Sequence, residues 1–390
     1  MSIEHKVYER YQDIPSSWNE WLGDSHPLQI NDIRLCEISM LNHLKNYYVV
    51  SYQNDKPILL SYYQLLLVTP EHFNCHDKVF QQKSLNVSLR IVKPTLLVVG
   101  NLFRHDVTFF HFLDDSMSLE KQNSFFKSTF EYMLDYTKAT GIFLKDIPKN
   151  YTEGILLDDT YKQMEDDVSM VMYIPPDWTS LLDYEKVLKH KYLQRYKKII
   201  KQHDGIQIRE LSEIEIKHYA LEIEQLYLQV TNNQLVSMGK INQAFFINLK
   251  NQYKENYKIF GWFYEGKMVA FSSAILHNGV YDMNYIGFDY VMNQSHAVYF
   301  NILFHCLEQA IVTRSQKLVL GRTALEVKAI LGCEPEYEYS FYKLRHVVVN
   351  WFYKKVSAGF KEQIGEKWKD RHPFKSTHYT SHLNLEKTSN

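Results

Sequence analysis

Arg322 has the clearest chemical setting in this sequence. It follows Leu318-Val319-Leu320-Gly321, an apolar run broken by glycine, which predicts a buried strand ending in a turn. Thr323 and Glu326 make the T-x-x-E spacing of a capping box, so a short helix is expected over Ala324–Leu331. Gly332 ends that helix and Pro335 prevents its resumption. A guanidinium in such a turn, beside the positive end of a helix, can hold phosphate or carboxylate. An intramolecular salt bridge is the plainer reading. Thr323 and Lys328 stand with Arg322 as candidate substrate-binding residues.

A second group lies on the strand expected at Val280–Phe288. Alternation puts Tyr281, Met283 and Tyr285 on one face and Asp282, Asn284 and Ile286 on the other, with Asp289 at the strand's end. Either the polar face opens on a cleft or it is a solvated outer face. Tyr342, on the strand expected from Tyr337 to Leu344, is a candidate proton donor or a core tyrosine.

The third group is cationic. Leu181 to Lys201 reads as one helix carrying Lys186, Lys189, Lys191, Arg195, Lys197, Lys198 and Lys201. Leu188, Tyr192, Tyr196 and Ile199 form its buried stripe. The basic face suits an RNA backbone, coenzyme A phosphates or a lipid headgroup, or it is simply solvated. An anionic partner at residues 186–201 is expected, with Arg195 a candidate contact.

These groups need a scaffold, and 390 residues allow two cores. With 45% hydrophobic and 23% charged residues and a net charge of −1, no global field points to nucleic acid or an anionic membrane, and DNA is not an expected partner. The four cysteines, Cys36, Cys75, Cys306 and Cys333, have no paired spacing, so neither a disulfide framework nor a zinc ribbon is expected. His72-x-x-Cys75-His76-Asp77 has metal-capable residues but no complementary pair elsewhere, so no metal is expected. There is no P-loop, nucleophile elbow, HExxH or Rossmann fingerprint. No signal core and no run long enough to span a bilayer is present, which predicts a cytoplasmic protein without a transmembrane segment.

Along the chain, short helices are expected near Trp18–Trp21 and over Ile33–Leu44. A hairpin turns at Asn54-Asp55, and further strands are expected at Ser84–Arg90 and Thr95–Val99. A long helix spans Ser118–Ala139, and strands follow at Gly141–Leu144 and Val168–Ile174. Pro175-Pro176-Asp177 reads as a linker. Beyond it come helices at Glu213–Thr231 and Gln243–Tyr253, a hairpin about Glu265-Gly266, a turn at Asn278-Gly279 and a helix at Ala297–Thr313. The two halves repeat one element order at an offset of about 175 residues, matching Phe143 with Val319, Lys145-Asp146 with Gly321-Arg322 and Met172 with Tyr342. The expected division is residues 1–175, residues 176–360 and a polar tail at 361–390 whose last residues are expected to be mobile.

This order, helices and a hairpin-rich sheet followed by helix–strand–helix–strand, resembles a GNAT-fold acyltransferase domain. The second half resembles the Fem-like branch, in particular its peptidoglycan biosynthesis/recognition proteins, which are tandem GNAT-like domains. The matching residues are Lys191-Tyr192-x-x-Arg195-x-Lys197-Lys198, Leu226-Tyr227-x-x-Val230, Gly287-Phe-Asp289-Tyr290 with Asn293 and Tyr299, and Gly321-Arg322-Thr323-Ala-x-Glu326-x-Lys328 with Leu331-Gly332. In the first half Gly100-Asn101 and Lys145-Asp146 correspond. The resemblance implies an α/β fold of mixed sheets, a degenerate first domain and an active cleft in the second.

The resemblance also implies acyl transfer to an amine, from acyl-CoA as co-substrate or, in true Fem enzymes, from aminoacyl-tRNA onto a cell-wall precursor. A non-catalytic GNAT-like anion-binding module is the alternative from another class. Such transfer needs a base, donors for the developing oxyanion, and alignment. In this fold the strand before the long helix splays from its neighbour, which makes Asp282, Asn284, Tyr285, Asp289 and Tyr342 the candidate catalytic residues. The usual glycine-containing pyrophosphate loop is missing: Val291–Ala297 holds no glycine. Asn293, Gln294, Ser295, His296 and Tyr299 are the candidate cofactor contacts there. The turn at Arg322 is then the better candidate for the acceptor.

Overall fold

A computed structural model describes residues 3–23, 26–39, 44–74, 79–104, 108–156, 158–164, 167–234, 236–345 and 371–375. The chain divides into two units. Unit 1 holds residues 1–167, 232–248 and 338–365, and unit 2 holds residues 168–231, 249–337 and 366–390.

In unit 1 the strands are β1 (Ile3–Tyr8), β2 (Leu44–Gln53), β3 (Lys56–Leu67), β4 (Thr95–Val99), β5 (Phe110–Phe112), β6 (Gly141–Leu144), β7 (Lys162–Gln163) and the distant β15 (Phe341–Leu344). Its helices are α1 (Ser17–Leu22), α2 (Ile30–Ile38), α3 (Val79–Val92), α4 (Leu119–Thr137) and α5 (Thr152–Leu156). The sheet runs β1-β2-β3-β4-β6-β15-β7, and β5 also pairs with β3. Among the described residues of this unit only β4 and β6 are parallel neighbours. Phe125, Phe126, Phe130, Met133 and Leu134 on α4 cover one face of it, and Trp18, Leu22 and Ile33 pack with Tyr48, Val50, Leu60 and Tyr62.

Unit 2 has α6 (Leu181–Val187), α7 (His190–Gln202), α8 (Glu213–His218), α9 (Ala220–Asn232), α11 (Tyr290–His296), α12 (Val298–Val312) and α13 (Leu325–Leu331), and the chain passes between units along α10 (Ala244–Tyr253). Its strands are β8 (Val168–Tyr173), β9 (Ile206–Glu210), β10 (Tyr257–Tyr264), β11 (Lys267–His277), β12 (Val280–Phe288), β13 (Lys317–Gly321) and β14 (Glu334–Tyr337). Their order is β9-β10-β11-β12-β13-β8-β14, with β12 and β13 parallel. The apolar α12 buries ten of its residues, among them Val298, Ile302, Leu303, Leu307 and Ile311, in the core of this unit.

The two sheets share one plan: an antiparallel meander, one parallel pair, then two antiparallel strands. The chain is therefore a mixed α/β protein of two like units. Each hairpin turn expected from sequence has both central residues at positive φ, at Asn54-Asp55, Glu265-Gly266 and Asn278-Gly279, the geometry whose twist suits two-residue loops.

The expected division at residue 175 is corrected in one respect. The strand beside β6 is β15, and the strand beside β13 is β8. The closing strands are thus exchanged: Val168–Tyr173 belongs to unit 2 and Phe341–Leu344 to unit 1. Both are short apolar strands, and local pattern does not name a strand's partner.

Other corrections are local. Ser84–Arg90 is helical, within α3, because Leu85 and Leu89 recur at helical spacing. The basic helix is two helices, broken at Leu188-Lys189 where Leu188 bridges to Phe374. Tyr337–Leu344 splits between β14 and β15. Of the expected polar tail, residues 371–375 are docked. Phe374 is 9% exposed in the core of unit 2, and backbone bonds join Lys189 N to Pro373 O and Lys375 N to Val187 O. Cys75, His76 and Asp77 lie outside the described residues.

Candidate active cleft in unit 2

The parallel pair β12–β13 is where the sheet opens. β12 stays paired to β11 as far as Phe288↔Ala270, but its register with β13 covers only Val280–Asp282 against Lys317–Val319. From Met283 onward the two strands part. In unit 1 the counterpart pair β4–β6 keeps register along all of β6, Gly141 to Leu144. The expected splay is therefore a feature of unit 2.

Where the strands part, β12 carries a bulge. The register with β11 jumps from Met283↔Ala274 to Ile286↔Ser272, so Asn284 and Tyr285 share the position opposite Ser273. Ser273 Oγ donates to Tyr285 O at 3.0 Å and accepts from Tyr285 N at 3.1 Å. One side chain thus replaces the missing ladder bonds and fixes the bulge. The bulge breaks the expected two-residue alternation along β12 after Met283. Residues 284–286 are half-buried, whereas Tyr281, Asp282, Met283, Gly287 and Phe288 are buried.

Asn284 Oδ1 is sealed from solvent and has no hydrogen-bond partner among the described residues. Tyr285 meets Tyr227 of α9 edge-on, ring centroids 5.5 Å apart. Gly287 lets α9 approach: a Cβ there would come within 2.4 Å of the Leu226 carbonyl carbon. Asp282 is 3% exposed at the closed end of the gap, with His277 Nε2 3.8 Å from its carboxylate.

β13 ends at Gly321, whose φ of +77° turns the chain away. Arg322 follows, half-buried and engaged within the fold. The expected capping box does not form. Ala324, at φ +51°, is the N-cap of α13 and makes no side-chain cap bond. The helix starts one residue late, Thr323 is exposed, and Glu326 instead pairs with Arg371. Lys328 is buried, and its Nζ donates to Gly321 O at 3.1 Å. Burial brings its amine down to about 7. Its neighbours Cys306 and Cys333 are thiols pushed up to about 12 by burial.

Asp289 is not presented to the gap as a reacting group. It is the N-cap of α11, and its Oδ1 accepts from Val291 N at 2.8 Å and Met292 N at 3.2 Å. Those amides are the ones a phosphate would need, so the expected cofactor contact at the start of α11 is displaced by a carboxylate. Asn293 Oδ1 accepts from Tyr299 N at 2.8 Å and caps α12 in the same way. Ser295 Oγ is bonded to Val291 O, Met292 O and His296 Nδ1. The His296 ring lies 4.9 Å from that of Tyr264, and Gln294 is exposed. Tyr299 packs on Phe288, and burial raises its phenol. Arg195 extends over the Phe300 ring at 5.1 Å, near the start of α12.

Tyr342 is not on a strand of the unit 2 sheet. It lies on β15 in unit 1, paired with Phe143 and Lys162, because the closing strands are exchanged. Sequence reasoning missed Ser273, His277 and Arg371. The signal for the first was present: Ser272-Ser273 interrupts the apolar run of β11, and a polar pair inside a buried strand marks irregular pairing. Among the described residues no group of three or more His, Cys, Asp or Glu could hold a metal ion, and no helix is long and apolar enough to cross a membrane.

The sequence matches no family model and no curated protein. Solved structures similar to it include FemX, at 10% identity and a TM-score of 0.44 over 79% of this chain and 89% of that one. A tandem GNAT protein from the clavulanic acid biosynthesis pathway aligns at 9% identity and a TM-score of 0.48, over 87% and 98% of the two chains. The C-terminal domain of a putative lysylphosphatidylglycerol synthetase from Agrobacterium fabrum aligns at 9% identity and a TM-score of 0.47, over 87% and 94%. At such identities and scores the likeness assigns neither a family nor a reaction.

Proposed function

We propose that this chain is an N-acyltransferase that moves an acyl group from a coenzyme A thioester to an amine, in the opening between β12 and β13. The observation that carries the reading is the early end of the β12–β13 register at Asp282, with β12 still held on its other side through Phe288. A strand edge open on one side offers backbone groups to an extended, amide-bearing donor, in the manner of strand addition. Its N–H groups are then aimed where the thioester oxygen becomes an oxyanion. The amine nitrogen forms the new C–N bond, the C–S bond breaks, and the thiolate leaves with the donor. Asp282, backed by His277, is the candidate base for the ammonium proton. Asn284 and Tyr285 orient the reactants on the bulge. Arg322, with Thr323 and Lys328, is the candidate acceptor-side cluster.

The capped starts of α11 and α12 leave Arg195 and its neighbours on α7 to meet the donor's phosphates. A second reading has support from that helix. Lys191, Lys197, Lys198 and Lys201 are exposed and make no ion pair among the described residues. This is more cationic surface than one coenzyme needs, and it favours a charged tRNA as donor.

The test is incubation of the purified chain with a panel of acyl-CoA donors and amine acceptors, following thiol release. Turnover is expected, with loss in the folded Asn284→Ala and Arg322→Ala variants. Absence of turnover, together with no thermal shift on adding coenzyme A thioesters of any length, sinks the first reading. Retention of aminoacyl-tRNA at low salt then selects the second. No turnover with either donor leaves a binding module.

A further inference from the structure

Helix α3 in unit 1 has no Asp or Glu in its fourteen residues. It buries Leu85 and Leu89, with Val68 and Phe73 packed against them. Away from that contact, Val87 is 58% exposed and Ile91 76%. Lys83, Arg90 and Lys93 are exposed as well. No hydrogen bond or ion pair engages these three cations among the described residues. At helical spacing Lys83, Val87, Arg90 and Ile91 fall on one stripe, so aliphatic and cationic side chains alternate along a single outer face.

An ordinary solvent-facing helix carries charges of both signs and keeps branched aliphatics inside. Here the aliphatics face water and the only charges are positive. Net charge over the whole chain is −1, so this face is a local departure from the protein's balance. Its chemistry fixes the partner's: negative charge for Lys83, Arg90 and Lys93, and an apolar layer next to that charge for Val87 and Ile91. Protein hot spots favour Trp, Tyr and Arg, whereas aliphatics set among Lys and Arg match the headgroup–acyl boundary of a bilayer.

We propose that α3 docks unit 1 reversibly on an anionic lipid surface, with Val87 and Ile91 entering the acyl boundary between cations that meet the headgroup phosphates. This stands apart from the reaction assigned to unit 2. The grip is small and depends on both components, so it should weaken steeply with salt and with loss of either.

The test is co-sedimentation of the full chain with vesicles of phosphatidylcholine alone and of phosphatidylcholine with phosphatidylglycerol. Binding is expected only to the second, falling about tenfold or more in the Val87→Ser/Ile91→Ser variant and in Arg90→Glu. All three changed side chains are exposed, and circular dichroism should confirm native folding. No binding to the anionic vesicles overturns the proposal, as does equal binding by the serine variant. A dimer in light scattering that the serine variant abolishes, without vesicle binding, would assign the face to a second copy of the chain and overturn it too.

Discussion

Lys328 Nζ lies 3.1 Å from Gly321 O, so a buried amine ties the middle of α13 to the residue at which β13 turns away. Lys328 is 1% exposed, and the thiols of Cys306 and Cys333, held protonated by burial, give it no counter-ion. Burial therefore lowers the amine to about 7 from 10.5. The folded state binds fewer protons than the unfolded state across that window, and stability should rise with pH from about 7 to 10.5.

Replacing Lys328 by Met keeps the volume and removes the titration. At pH 7 the variant should stay within about 1 kcal/mol of the parent, because the lost hydrogen bond and the relieved desolvation oppose each other. At pH 10 the parent should have gained relative to it. Urea unfolding at both pH values reads this, and an equal difference at the two would show that the amine does not titrate as its burial demands.

Ser273 is 1% exposed and serves both backbone groups of Tyr285. Ser273→Ala would remove both hydrogen bonds from the half-buried backbone of Tyr285, which costs about 2 kcal/mol. The urea midpoint should fall with little change in slope. If the cleft acts as proposed, turnover should fall further than stability does, because the bulge positions Asn284. A variant as stable as the parent would mean that the bulge is held by other contacts.

How much of this was legible in the sequence follows from what each residue signals locally. Gly321, Gly332 and the three hairpin turns announce themselves, since positive φ and tight turns restrict residue choice. The succession β10, β11, β12, α12 and β13 follows from periodicity and short connections, whereas β1 and β9 and the helical α3 were not read from the sequence. The exchange of β8 and β15 does not follow, because Val168–Tyr173 and Phe341–Leu344 are both short strands and pairing is a long-range choice. That choice put Tyr342 on the sheet of unit 1. Thr323 and Glu326 had capping-box spacing, but Ala324 at φ +51° shifted the helix start and gave Glu326 to Arg371. Asp289 was legible as polar at a strand's end, and its role as a cap appears only once the helix following β12 is known to begin at Tyr290.

His305 and His203 flank Trp262, at 5.4 and 5.2 Å between ring centroids. His305 also lies 4.5 Å from the Phe260 ring. His305 Nδ1 and both ring nitrogens of His203 have no hydrogen-bond partner among the described residues. His305 is lowered to about 4 by burial and then by His203, and His203 is lowered by burial and then by His296. The unfolded chain takes up protons near 6.5 while the folded one resists. The histidines' contribution to stability should be full above 6.5 and fall as pH drops from there toward 4. His305→Phe should flatten part of that fall, and thermal melts between pH 7 and pH 4.5 measure it. Parallel curves for parent and variant would remove His305 from the account.

Phe374 sits against Gly332, in a T-shaped contact with Tyr184 at 6.0 Å and with Trp178 at 6.4 Å. Five bonds hold its segment among the described residues: Lys189 N to Pro373 O, Lys375 N to Val187 O, Lys189 Nζ to His372 O, Lys375 Nζ to Lys186 O, and Arg371 to Glu326. Phe374→Ala should therefore cost about 3 kcal/mol, the usual range for a buried ring removed from a core. Gly332→Ala should be comparably harmful by another route. A Cβ at 332 would stand 2.3 Å from the Phe374 ring, at a φ of +110° that side chains avoid. The two costs should not add: once the ring is gone, the clash at 332 is gone and only backbone strain remains. A double-mutant cycle in urea tests this. Strict additivity would mean that Phe374 does not occupy the site over Gly332 in solution.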